Sequence, residues 1–193
     1  MKKVLCAALL LFSFALAFGQ SGTSVNAKDV KSITFYGVDF SLAKVFGVAE
    51  SPAMLKKAFG DINMLFTTEA KKYNIYSFFS KDEVVSSFDL VNKLNSAINE
   101  KDLNGTNLQY AISSEELTKH VKSYKTEGNG VGLIFIAERL NKLESLGYYH
   151  VVFFDTKTKE ILLDRAVSAK AAGFGLRNYW ASSVYKFMKE WRY

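Results

Sequence analysis

Cysteine, proline and histidine are almost missing from this sequence: it holds one Cys, one Pro and two His among 193 residues. The cysteine, Cys6, lies in an apolar run beside the amino terminus. If that run is removed on export, no disulfide, thiol nucleophile or thiolate metal site remains possible. An exported domain without disulfides is held by its core alone, which excludes the small stapled scaffolds. Pro52 stands by itself, so no proline-rich linker divides the chain. The two histidines, His120 and His150, are the only side chains whose unperturbed titration falls near neutral pH. Neither has the Asp-x-His or His-x-His spacing of a metal site, and both read as surface or satisfied sheet residues. No Gly-x-Ser-x-Gly elbow is present. No catalytic residue, metal ligand or cofactor is expected. Charge of one sign is also scarce: the formal net charge is +6, with lysines spread along the chain. A nucleic-acid surface would need a dense basic stripe. The mild basicity therefore reads as solubility, and no nucleic-acid partner is expected.

What is present begins with Met1-Lys2-Lys3, an apolar run from Val4 to Phe18, then Gly19-Gln20-Ser21-Gly22. Basic start, short apolar centre and small-residue exit are the parts of a secretory signal. Ala17 and Gly19 fit a cut before Gln20, and Ala15 and Ala17 fit one before Phe18. The run is short of the roughly 20 apolar residues of a spanning helix. Cys6 lies at the start of the apolar run, whereas a lipoprotein signal carries its cysteine after it. The expected product is unlipidated and exported, to the periplasm or beyond the cell, with no transmembrane segment. Removing residues 1–19 leaves a single-domain length, able to bury about 70% of its unfolded surface.

Residues 20–31 read as a flexible leader and 32–193 as one α/β domain. Ile33–Ser41 has the β-branched and aromatic content of a strand. Ser51 is a good N-cap and Pro52 suits the first helical position. Leu55, Phe59, Ile62, Phe66 and Ala70 continue that helix at three-to-four spacing. Ile75–Phe79 reads as a short strand, Leu90 to Ile98 as a helix, Asn104-Gly105 as a turn and Leu108–Ile112 as a strand. Ser113-Ser114-Glu115-Glu116 opens a further helix with a capping box. Val131–Ala137 and Tyr148–Phe154 are apolar enough for strands covered on both faces. Asp155–Lys159 is a hairpin tip, and Glu160–Val167 alternates. Leu176, Trp180, Val184, Phe187 and Trp191 predict a closing C-terminal helix. The expected architecture is an antiparallel-rich mixed sheet with helices packed on it.

Two polar groupings are the candidate binding surface. Glu138, Arg139, Asn141 and Lys142 follow the apolar strand, where polar residues can form a site or a solvated loop. Gly173-Phe174-Gly175-Leu176-Arg177-Asn178 opens the last helix. Its glycines could bring backbone N–H groups to an anion beside Arg177. A dinucleotide fingerprint requires a following parallel strand, whereas the residues after Asn178 read as one helix. The glycines then serve a sharp strand-to-helix turn. The tentative surface is Glu138, Asn141, Lys142, Arg177 and Asn178.

The strand ending Val38-Asp39-Phe40, the helix after it, the hairpin Val151–Leu162 and the closing helix resemble a known periplasmic domain. It is found in penicillin-binding-protein activator lipoproteins, in the curli-secretion lipoprotein and at the N-terminus of the Tol translocation protein. Lys159 stands where those proteins usually carry glycine. The chain is also similar to small exported proteins of Gram-negative bacteria with a Phe-Phe-Asp hairpin and a Gly-Phe-Gly-Leu-Arg-Asn-Tyr-Trp helix start. The resemblance implies a non-catalytic envelope module that contacts an envelope protein not specified by the sequence. The alternative is a small-ligand-binding protein or hydrolase using polar residues near Glu138 and Arg177. Intact-mass analysis of the protein from its native host is expected to give a chain beginning at Gln20 with no fatty-acyl increment.

Overall fold

A computed structural model describes residues 26–193. The expected signal peptide, residues 1–19, and residues 20–25 of the leader lie outside the described residues. Residues 26–31 are anchored to the domain: Lys81 is buried and its Nζ donates to the carbonyls of Ala27 and Val30, both at 2.7 Å.

In chain order the elements are β1 (Ser32–Asp39), β2 (Lys44–Phe46), α1 (Pro52–Thr68), α2 (Ile75–Phe78), β3 (Glu83–Ser86) and α3 (Asp89–Ser96). There follow α4 (Glu100–Leu103), α5 (Ser114–Lys122), β4 (Val131–Asn141), β5 (Leu146–Asp155), β6 (Ile161–Lys170) and α6 (Leu176–Glu190). The strand order is β3-β1-β4-β5-β6, with β2 also paired to β4. β3, β1, β4 and β2 pair in parallel, and β4-β5-β6 is an antiparallel meander with the longest ladders. This is a mixed α+β sheet.

β4 lies in the middle because it can be covered on both sides. Leu133, Phe135, Ala137 and Leu140 enter a larger core with α1, α2 and α6, and Ile134 and Ile136 enter a smaller one under α5. The helices begin where side chains can cap them. Ser51 Oγ accepts from Met54 N, Ser113 Oγ from Glu116 N at 3.1 Å, and Asn74 Oδ1 from Ser77 N at 3.0 Å.

The end of β1 sets the geometry around it. Gly37 has φ of 96°, a left-handed value that favours glycine, and the β1–β4 register shifts between Phe35 and Val38. The backbone freed there is taken up by two buried amides. Asn63 of α1 accepts from Val38 N at 2.7 Å and donates to Val38 O at 2.8 Å. Asn95 of α3 accepts from Phe40 N at 2.8 Å and donates to Val38 O at 3.0 Å. Buried backbone groups need such partners.

Several sequence expectations differ from the structure. Ile75–Phe79 is a helical turn capped by Asn74 and not a strand; four or five apolar residues do not separate the two periods. Leu108–Ile112 forms no strand, because Asn107 folds the segment back: its Oδ1 takes Gln109 N and its carbonyl takes Tyr110 N. β2, β3 and α4 are short elements that the apolar pattern does not mark. β4 runs on to Asn141, so Glu138 and Arg139 lie on a strand and not on a loop after it.

The C-terminal helix is core. Trp180, Val184, Phe187 and Trp191 are buried in the larger core with Phe79, Phe135 and Tyr149. Trp180 Nε1 has no hydrogen-bond partner among the described residues, so its indole is held there by apolar burial. Trp180→Ala should lower stability by about 3–5 kcal/mol in denaturant unfolding. Trp180→Phe, which also removes the unpaired N–H, should cost markedly less.

Candidate functional site

The five residues of the tentative surface fall in two places. Glu138 lies on the α5 side of the sheet. A bulge between Ala137 and Arg139 turns both Glu138 and Arg139 to that side. There Glu138 Oε2 accepts from Ile112 N at 2.8 Å, and Arg139 donates to Leu108 O while its guanidinium stacks 4.0 Å over the Tyr148 ring. Both residues pin the 104–112 segment.

Asn141 and Lys142 lie elsewhere, at the β4–β5 turn, and Arg177 and Asn178 are in the first turn of α6, which that turn adjoins. Ala171 N donates to Ser145 O at 2.8 Å, and Lys142 Nζ lies 6.0 Å from the Tyr179 ring centre. Asn141 is buried and shapes the turn, its Oδ1 accepting from Leu143 N at 3.0 Å. Lys142 faces Glu50 at 3.3 Å. Arg177 Nε donates to Asn178 Oδ1 at 3.0 Å. Gly173 and Gly175 have φ of 112° and 80°, so the glycine run serves the turn into α6. Two large apolar side chains stand in solvent on these same turns: Leu143, 71% exposed, and Phe174, 95% exposed.

Both histidines are tied to carboxylates, which spacing along the chain did not reveal. His120, on α5, places Nε2 2.7 Å from Asp39 Oδ2 and 3.3 Å from Ser41 Oγ. Tyr124 donates to the same Asp39 oxygen at 2.8 Å, and Ser41 N donates to Oδ1. Ser, His and Asp are together, but not as a nucleophile relay. That relay needs one ring nitrogen on the carboxylate and the other on the hydroxyl, whereas here a single nitrogen meets both. Burial raises the Asp39 carboxyl pKa, yet the His120 and Ser41 hydrogen bonds outweigh it and hold it below its ordinary value. Burial and the Asp39 charge push the Tyr124 phenol well up.

His150, on β5, lies between strands. Its Nδ1 is 2.8 Å from Asp164 Oδ1 on β6, and its Nε2 is 3.2 Å from Glu138 Oε2 on β4. Burial alone would lower its pKa, but the two carboxylates raise it from 6.5 to about 9. Glu138 is half-buried, which raises its pKa, but the His150 and Ile112 hydrogen bonds outweigh this and hold it below the usual value. The imidazolium is thus a cross-strand clamp at neutral pH. The sequence hint was strand alternation: His150 and Asp164 both fall on the side opposite Tyr149 and Leu163.

A cleft of about 660 Å³ opens on the same side of the sheet, beyond Tyr36. Tyr36 and Thr34 of β1 line it, with Lys93 of α3 and Lys125 and Thr126 from the segment before β4. Among the described residues, no group of three or more His, Cys, Asp or Glu side chains could hold a metal ion.

Set against known proteins, the chain matches no family model and no curated protein. The functional reading therefore rests on the geometry.

The His150 clamp makes stability depend on pH. Its pKa is raised on folding, so its contribution is full below about 6.5 and is lost as pH rises through about 9. The Glu138 pKa is depressed, so its contribution is lost as pH falls through the acid range. Unfolding free energy measured by denaturant titration should fall by about 2 kcal/mol between pH 6.5 and 9.5. His150→Gln should flatten that alkaline limb.

Proposed function

We propose that the protein is an exported, non-catalytic interaction module that contacts another envelope protein through the Leu143–Phe174 end of its sheet. The observation that carries this reading is the exposure of those two side chains, 71% and 95%, on two adjoining turns. Contiguous exposed apolar surface marks protein contact sites, and these two are the most exposed large apolar side chains among the described residues, on adjoining turns. Neither Leu143 nor Phe174 belongs to either core, although Leu143 lies close over Gly47. The histidine hydrogen bonds agree with this reading, since they engage both rings in holding elements together.

The resemblance to the periplasmic lipoprotein domain also supports it. Lys159 has φ of 64°, in the left-handed region that favours glycine, at the position where those proteins usually carry glycine. The hairpin tip around it is tied by Asp155, whose Oδ1 accepts from Lys157 N at 2.8 Å and Thr158 N at 2.6 Å.

A second reading is favoured by the cleft over Tyr36, which is large enough for a small ligand. It replaces the site near Glu138 and Arg177, because those two residues sit on opposite sides of the sheet. A photo-crosslinking residue placed in cells at Phe174 or at Lys125 separates the readings. Protein adducts at Phe174, lost with Leu143→Asp, are expected. Adducts confined to a small-molecule mass at Lys125 would replace the interaction module with a ligand binder.

A further inference from the structure

The meander ends at β6, and among the described residues nothing pairs with its outer side. The opposite edge, β3, has four residues, whereas β6 has ten. The β5–β6 register shows which backbone groups β6 leaves open. Ala171 N donates to Ser145 O at 2.8 Å, directly in line with the pair Leu146–Lys170. In an antiparallel ladder, hydrogen-bonded residues alternate. Leu163, Arg165, Val167 and Ala169 therefore bond inward to β5, and Asp164, Ala166, Ser168 and Lys170 turn their N–H and C=O groups outward. The Lys170 carbonyl conforms, since Lys186 Nζ reaches it from outside at 2.9 Å.

Long open edges are normally blunted by proline, a bulge, a cover or charged side chains, and the outward charges of β6, Asp164 and Lys170, stand on either side of an uncharged centre. From Leu163 to Lys170 there is no proline, and the only β5–β6 register shift lies beyond it, at Phe153–Phe154. The outward residues are small or exposed, with Ala166 and Ser168 at the centre.

We infer that β6 pairs with β6 of a second copy of this chain, antiparallel about a two-fold axis at Val167, joining two sheets into one. In this register Asp164 lies opposite the partner's Lys170 on both sides of the axis, and Ala166 lies opposite the partner's Ser168. The charges match. Asp164 uses Oδ1 for His150, which leaves Oδ2 for the lysine. An axis at Arg165 would instead oppose two guanidinium groups, a destabilising cross-strand pair. An axis at Ala166 leaves Asp164 opposite a serine. The strand is thus complementary to itself in one register, and that singles out a second copy over an unrelated extended peptide.

Sedimentation velocity on the isolated protein should show a concentration-dependent dimer. Ala166→Pro removes an outward N–H, the one place where an edge strand tolerates proline. It should give a monomer with an unchanged circular-dichroism melt. Lys170→Glu, which sets Glu against Asp164, should weaken the dimer about tenfold. A second test does not depend on those variants. Val167 faces its own copy across the axis in a non-hydrogen-bonded pair, where Cα atoms lie about 4.5 Å apart, within disulfide range. Val167→Cys should oxidise to a covalent dimer much faster than Arg165→Cys or Ala169→Cys, with wild type as the blank. A wild type that stays monomeric at all concentrations, or cysteines that cross-link at equal rates, overturns the inference. So does a dimer that Ala166→Pro leaves intact in a folded protein.

Discussion

Phe135, at the centre of β4, lies between the rings of four other elements. Its centroid is 5.2 Å from Phe35 of β1, 5.6 Å from Phe79 after α2, 5.0 Å from Phe187 of α6 and 6.3 Å from Phe66 of α1. Interior packing is dense enough that such a ring fixes its neighbours' positions. The helices on this side are therefore placed by one residue of the middle strand. The chain order follows from it: β4 must reach the centre of a sheet begun by β1 and closed by β5, so the segments between β1 and β4 have to cover its two faces.

The other side is built differently. The smaller core under α5 is thin, and polar anchors supplement it. Asp39 receives His120 from α5 and Tyr124 from just after it, and Glu138 and Arg139 hold the 108–112 segment. A buried carboxylate survives because each oxygen is hydrogen-bonded. Beyond these anchors the sheet is open, first at the cleft over Tyr36 and then along β6. Exposed features thus concentrate where cover is incomplete, and the Leu143–Phe174 turns project from one end of the same frame.

Long elements were legible from residues. The stripe from Leu55 to Phe66, the cap at Ser51, the capping signal at Ser113 and the apolar runs of β4 and β5 each repeat one period often enough to exclude the other. Short elements were not. Four residues such as Glu83–Ser86 carry too little pattern, and β3 exists because its backbone meets an open edge of β1. The candidate site was partly legible. Lys142 lies near Tyr179 of α6 because the β4–β5 turn and the turn before α6 are neighbours in space. Glu138 was misplaced because a bulge extends β4 by residues that polarity marks as a loop.

Composition and spacing determined the disulfide-free core, the mixed α+β class and the burial of the C-terminal helix, since burying apolar surface depends on local periodicity. Only the tertiary structure decided the partners of the charged and polar groups. His120 lies 81 positions from Asp39, and Tyr124 lies 85 from the same carboxylate. His150 finds Glu138 and Asp164 across two ladders. A hydrogen bond is specified by atoms within about 3 Å, and strand register, which no single segment contains, sets which distant atoms come that close.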